Sequence, residues 1–97
     1  MTIDKKFSGG KLTLKVTGRL DTNTSPELDE QLKLDGVTEV VFDFSELEYI
    51  SSAGLRVLMA EHKAMMAVGG EVIIASANEM VKSILDMTGL SSVFKMI

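Results

Sequence analysis

The chain changes from an apolar strand pattern to an amphipathic helix pattern within one central stretch, residues 42–58. The strand pattern ends near Phe42, and side chains on one helical face then recur at Leu55, Leu58, Met59, His62 and Met66. Between them lies Ser51-Ser52-Ala53-Gly54, where serine is typical of a helix N-cap and glycine weakens a first turn by about 0.5–1 kcal/mol relative to alanine. The stretch therefore predicts a strand, an exposed docking turn carrying hydroxyls, and a helix.

Repetition of this strand-to-helix change predicts an α/β fold. Residues 11–17 alternate apolar and polar side chains, as a half-buried strand does, and Gly9-Gly10 indicates a hairpin with residues 2–8. Near-continuous apolar runs at 37–44 and 72–75 are typical of covered strands. Strands separated by helices are joined by right-handed crossovers and lie parallel. The predicted order is ββαβαβαβ, a mixed sheet with helices packed against it, in a single domain spanning 1–97 whose last three strands are parallel neighbours.

Capping patterns predict where the other two helices begin. Thr24-Ser25-Pro26-Glu27 fits a capping box with proline in the first turn, and Ser76-Ala77-Asn78-Glu79 fits a second one. On the central helix, the spacing predicts that Met59 and Met66 face the core, and it leaves Met65 open.

Composition argues against several classes of function. The 97 residues include no cysteine, which excludes a disulfide, a thiol nucleophile or a Cys-based zinc site, and the single histidine, His62, is expected to pack in the core. The net charge of −4 argues against nucleic acid, which selects basic patches. No apolar run approaches about 18 residues, and the N-terminus has no signal-peptide core. We expect a cytoplasmic protein without membrane insertion.

Neither the serines nor the acidic residues form a catalytic pattern. Asp43, Glu46 and Glu48 fall in a predicted strand-end loop without a histidine beside them. A serine nucleophile needs a base within hydrogen-bond reach, yet His62 lies about 15 Å beyond Ser52 along the same helix, at about 1.5 Å per residue. We therefore predict no enzymatic activity, no cofactor and no metal. Ser52 is better interpreted as a group that another protein modifies.

Four short motifs, in order, resemble the STAS family and specifically the bacterial anti-sigma factor antagonists. The resemblance covers nearly the whole chain, and its motifs are Gly18-Arg19-Leu20-Asp21, Tyr49-Ile50-Ser51-Ser52-Ala53-Gly54-Leu55-Arg56, Gly69-Gly70-Glu71-Val72 and Leu85-Asp86-Met87-Thr88-Gly89-Leu90. It implies a STAS-like fold and a protein that binds an anti-sigma factor serine kinase, so freeing a sigma factor. ATP would belong to that kinase, and a PP2C-type phosphatase would reverse the modification. We expect a monomer when the chain is free.

Ser52 aligns with the serine that the family phosphorylates. A phosphate adds about −1.5 to −2 charges, and a helix N-terminus favours an anion by about 0.3–1 kcal/mol, so the charge would act on the docking partner rather than on the fold. Ser51, however, stands where the family has Asp. This departure leaves two alternatives open. Ser51 could be a second acceptor, or the two serines could be a purely structural N-cap pair that is never modified. The departure also keeps an alternative function open, a constitutive STAS-type scaffold subunit, for example in a membrane transport assembly.

The predicted partner-binding residues are one serine of this pair and residues near it: Asp21, Ser51, Ala53, Gly54 and Arg56. Asp21 matches the aspartate that the family places in a loop near the serine, and its structural alternative is an Asx turn at the strand exit. Arg56 lies four residues after Ser52, where a solvated side chain, a partner contact or a phosphate contact are the alternatives.

Overall fold

The structure is a computed structural model that describes residues 1–97. It has six strands, three α-helices and a 3₁₀ turn: β1 Thr2–Ser8, β2 Lys11–Leu20, α1 Ser25–Gln31, β3 Glu39–Asp43, β4 Leu47–Ile50, α2 Ser52–Ala67, β5 Glu71–Ala75, α3 Glu79–Met87, the turn Leu90–Ser92, and β6 Lys95–Met96. The α/β class with a mixed sheet is confirmed. The structure adds β4, because Leu47, Tyr49 and Ile50, which follow the last predicted residue of the central strand, pair with β2.

The sheet is built around β2, which has three neighbouring strands. It pairs antiparallel with β1, parallel with β3 through residues 11–15, and parallel with β4 through Gly18–Leu20. The strand order is β1-β2-β3-β5-β6, and every pair beyond β1 is parallel. The last three predicted strands correspond to β3, β5 and β6, and their parallel arrangement as neighbours is confirmed. The carboxyl ends of β2 and β4 lie side by side, where the chain enters α2.

The core lies between one face of the sheet and the three helices. Leu12, Leu14 and Val16 are fully buried on that face, as the alternation in β2 predicts. Each helix contributes to the same apolar cluster, through Leu28 from α1, Leu58 and Met65 from α2, and Val81 and Leu85 from α3.

The predicted apolar row of α2 is correct at the start of the helix and shifted by one residue at its end. Leu58 is fully buried and Met59 packs against the core, but Met65 is 6% exposed and Met66 is 65% exposed. The prediction for Met66 is wrong because the buried row runs through Gly54, Leu58 and Met65, one position before the predicted row at the carboxyl end.

Neither predicted capping box forms. Thr24 precedes α1 without a side-chain cap bond to the helix, and the cap of α3 is Asn78, whose Oδ1 accepts from the backbone N–H of Val81 at 2.9 Å. Ser76 instead has φ 59°, a left-handed conformation that bends the chain out of β5. α1 thus begins after the predicted residue, Thr24, but without the predicted cap bond, whereas α3 begins after Asn78, two residues beyond the predicted cap Ser76.

Candidate functional site

The two serines at the start of α2 have different structural roles. Ser51 is the N-cap, and its hydroxyl accepts from the backbone N–H of Gly54 at 3.5 Å, a long bond. Its own backbone N–H donates to the carbonyl of Leu20 at 2.9 Å. Ser52 is the first helical residue and is exposed, and its hydroxyl makes no hydrogen bond within the chain. One serine therefore holds the turn, and the other presents an available hydroxyl.

Gly54 is a packing residue and not part of the exposed surface. It is buried, and a Cβ at this position would lie 2.8 Å from Cγ1 of Ile50 and 2.9 Å from Cγ of Leu20. Its assignment to the partner-binding set stays a prediction, and its burial limits such a role to the shape that it gives the turn. Glycine is needed here because the first turn of α2 lies directly on the ends of β2 and β4.

The turn after β2 is closed by its own side chains. Oδ1 of Asp21 accepts from the backbone N–H groups of Asn23 at 3.0 Å and Thr24 at 3.1 Å. The Thr24 hydroxyl accepts from the N–H of Asp21 at 2.8 Å and donates to the carbonyl of Arg19 at 2.8 Å. The Thr24 N–H holds the pKa of the Asp21 carboxyl below its ordinary value. Asp21 thus forms the Asx turn that was its structural alternative.

This turn lies beside the Ser51–Ser52 pair. Leu20 pairs with Ile50 in the β2–β4 ladder, and the Leu20 carbonyl accepts the N–H of Ser51. Asp21 directly follows Leu20, so the structure brings the Asp21 loop next to the start of α2. The neighbourhood that the resemblance implied is present, although the carboxylate itself bonds to its own loop.

Ala53 and Arg56 line a shallow groove between α1 and α2. The α1 side of the groove includes Pro26 and Asp29. Arg56 is exposed and takes part in neither of the chain's two ion pairs, Lys11–Glu39 and Lys33–Glu30. Its guanidinium is therefore available, one helical turn beyond Ser52.

Two contacts near the site were not predicted, because both depend on β4. The guanidinium of Arg19 stacks over the Tyr49 ring, 4.5 Å from its centroid. Nδ2 of Asn78 donates to the carbonyl of Leu47 at 2.6 Å, which ties the start of α3 to β4. The one signal in the sequence was the position of Arg19 within the Gly18-Arg19-Leu20-Asp21 motif.

Three titratable residues outside the serine site, His62, Asp43 and Glu61, have surroundings that the structure describes. The His62 ring packs edge-on against Phe94 with centroids 5.8 Å apart, which confirms its packing role. The backbone N–H of Ser45 holds the pKa of Asp43 below its ordinary value, whereas burial raises the pKa of Glu61. No group of three or more His, Asp or Glu side chains could hold a metal ion, and none of the helices has the length and apolar character needed to span a membrane.

Comparison with known proteins finds relatives over most of the chain. The chain is 29% identical over 94 residues to the anti-sigma F factor antagonist of Paenibacillus polymyxa, covering 93% of this chain and 80% of that protein. It is 30% identical over 80 residues to the anti-sigma-B factor antagonist of Staphylococcus aureus, covering 79% of this chain and 74% of that protein.

Solved structures share the fold at lower identity. The anti-sigma factor antagonist SpoIIAA in its unphosphorylated form gives a TM-score of 0.87 at 16% identity, over 99% of this chain and 88% of that one. Bacillus SpoIIAA in its phosphorylated form gives 0.80 at 15% identity, over 99% and 91%. The STAS domain family model matches residues 2–97. With this match, the relatives and the shared fold, the chain belongs to the STAS domain family.

Proposed function

We propose that this chain is an anti-sigma factor antagonist whose binding is switched by phosphorylation of Ser52. The observation that carries the proposal is the division of roles between the two serines. Ser51 caps α2, whereas Ser52 is exposed and its hydroxyl is unbonded. The names of the Paenibacillus and Staphylococcus relatives support the antagonist role. Ser51 remains the second choice of acceptor.

The proposed partner is an anti-sigma factor serine kinase that brings its own ATP. It would dock on the Ser52 surface, which we define as Ser52, Ala53 and Arg56 of α2 with Pro26 of α1. Asp21 and Ser51 would hold the two adjoining turns in place behind this surface. A PP2C-type phosphatase would restore the binding form.

Charge explains how a phosphate would release the partner while the fold stays intact. The phosphate adds about −1.5 to −2 charges at a helix N-terminus, which favours an anion by about 0.3–1 kcal/mol. Gly54 and the N–H of Ser51 hold the helix start independently of the Ser52 hydroxyl. The charge would therefore act at the docked surface, where burying an unpaired ion costs several kcal/mol. Each 1.4 kcal/mol of that cost weakens binding about tenfold.

Intact-mass measurement with the cognate kinase and ATP tests the acceptor. Wild type and Ser51→Ala should each gain one phosphate, and Ser52→Ala should gain none. Full incorporation in Ser52→Ala would move the acceptor to another residue. No incorporation in any of them, together with unchanged binding, would favour the constitutive scaffold subunit, which the serine in place of the family aspartate keeps open.

Titration calorimetry tests the switch. Ser52→Asp should weaken kinase binding by about one to two orders of magnitude, or about 1.4–2.8 kcal/mol, because a carboxylate carries less charge than a phosphate. Ser8→Asp is the matched control, since Ser8 is exposed and pairs with Lys11 at the opposite end of β2 from Ser52. Equal affinity of Ser52→Asp and Ser8→Asp would rule out electrostatic exclusion at the Ser52 surface.

A further inference from the structure

β1 is a free edge of the sheet. It pairs with β2 only, and nearly all of its residues are exposed, including Phe7 at 45%. The hairpin turns at Gly9 and Gly10, both with positive φ, so Ser8 and Lys11 close the ladder as a hydrogen-bonded pair. Hydrogen-bonded pairs alternate along such a ladder. The N–H and C=O groups of Ile3, Lys5 and Phe7 therefore point away from β2, toward any strand that approaches the edge.

The two faces of β1 carry different side chains. Ile3, Lys5 and Phe7 lie opposite Val16, Leu14 and Leu12, on the face of the sheet that bears the core. Asp4 and Lys6 lie opposite Lys15 and Thr13, on the other face. A strand added to this edge would thus meet an apolar row interrupted by one lysine, and a charged row of opposite signs.

β1 of a second copy matches this edge in one antiparallel register. Two copies related by a two-fold axis through Lys5 bring Ile3 of each against Phe7 of the other. The same register brings Asp4 of each against Lys6 of the other, on the opposite face. Lys5 is the one residue that lies opposite the same residue, Lys5, of the other copy. Centring the axis on Asp4 or on Lys6 also opposes one pair of like charges, Asp4 with Asp4 or Lys6 with Lys6, but it forms no pair of opposite charges to offset that cost.

We infer that the free edge of β1 is a docking surface for β1 of a second copy of this chain, in the register centred on Lys5, and that Lys5 keeps this association weak. Two opposed lysines in the middle of the joined strands disfavour pairing, as inward-facing charges do on natural edge strands. A single pair of seven-residue strands is also small beside the roughly 1,200–2,000 Å² that a stable interface buries. Wild type should therefore be mainly monomeric at micromolar concentrations, in agreement with the sequence expectation.

Sedimentation equilibrium of Lys5→Val tests the inference. Replacing both opposed lysines should strengthen self-association by about tenfold. The control is Lys5→Val/Lys6→Glu, which keeps the apolar row but places a carboxylate at position 6 opposite Asp4 of the other copy, and it should return the chain to the wild-type level. Circular dichroism melts check that each variant keeps the fold. Lys5→Val that associates no more strongly than wild type would overturn the inference.

A charge exchange tests the register itself. Lys5→Val/Asp4→Lys should not self-associate, because position 4 then opposes Lys6 of the other copy with the same sign. Mixed with Lys5→Val/Lys6→Glu, it should form a heterodimer, since each charged pair is again of opposite sign. Association of either double variant alone as strong as that of Lys5→Val would assign the contact to another surface and refute this register. Ser52 takes no part in these contacts, so the outcome is separate from the phosphorylation proposal.

Discussion

The starts of α1 and α2 lie side by side, and they are held in opposite ways. Before α1, the Asp21 carboxylate and the Thr24 hydroxyl are bonded to backbone groups of the same turn. Before α2, one long bond from Gly54 to Ser51 is the side-chain cap, and the close packing of Gly54 on Leu20 and Ile50 supplies the rest. Packing thus fixes the second turn without using the Ser52 hydroxyl. A turn built this way can offer a hydroxyl to another protein and keep its shape.

The strongest test of the comparison is Gly54→Ala. Helix propensity alone predicts a gain of about 1 kcal/mol. The overlap of the new Cβ with Ile50 and Leu20 predicts instead a loss of about 1–3 kcal/mol in the free energy of unfolding. Urea denaturation measures the sign directly, and a more stable variant would mean that packing does not hold this turn.

Thr24→Val should have the next largest effect. The substitution keeps the shape but removes a hydroxyl that accepts from Asp21 and donates to Arg19, so we expect a loss of about 1–2 kcal/mol. Thermal melts followed by circular dichroism provide the measurement, with Ser52→Ala as the matched loss of one hydroxyl. Equal losses of unfolding free energy in Thr24→Val and Ser52→Ala would mean that the two turns do not differ in how much they depend on their hydroxyls.

Ser51→Ala should cost about 0.5 kcal/mol, the low end for an N-cap, because its bond to Gly54 is long. Ser52→Ala should remain within about 0.5 kcal/mol of wild type, as for a surface residue without partners. Chemical denaturation of both variants in parallel tests the division of roles between the serines. A larger loss of unfolding free energy for Ser52→Ala than for Ser51→Ala would mean that Ser52, and not Ser51, holds the start of α2.

The smallest expected effect is on acid stability. The pKa of Asp21 is lower in the folded chain than its ordinary value of 3.8. The ionised carboxylate therefore contributes stability above that value, and the contribution is lost as the pH falls through the lower folded pKa. Compared with wild type, Asp21→Asn should show a shallower loss of melting temperature below about pH 4. Identical slopes would indicate that the Asx turn does not depend on charge.

The sequence predicted what local pattern controls. The alternation at Leu12, Leu14 and Val16 located β2 and its buried face, and Gly9-Gly10 located the hairpin. Local pattern could not predict that Gly54 packs on Leu20, because that contact joins residues far apart in the chain and depends on β4. β4 itself has four residues with only its two ends buried, so it lacks the alternation that indicates a strand.

The site was predicted in its position but only partly in its chemistry. Serines before an amphipathic helix located the turn, and Gly18-Arg19-Leu20-Asp21 located its neighbour. Which serine caps the helix depends on backbone angles, with Ser51 extended at φ −98° and ψ 176°. Adjacent serines are equivalent in a sequence pattern, so this distinction required the three-dimensional structure.

The three neighbours of β2 also bear on how the protein opens. β1 joins β2 through a two-residue turn, and such hairpins form in roughly 1–10 μs. β3 and β4 join β2 only after longer segments have been brought together, which is slower because loop closure costs entropy. Since separating β2 requires releasing all three strands, its amide protons should exchange with solvent only when the whole fold opens. The rate of amide exchange in β2 would then report global unfolding.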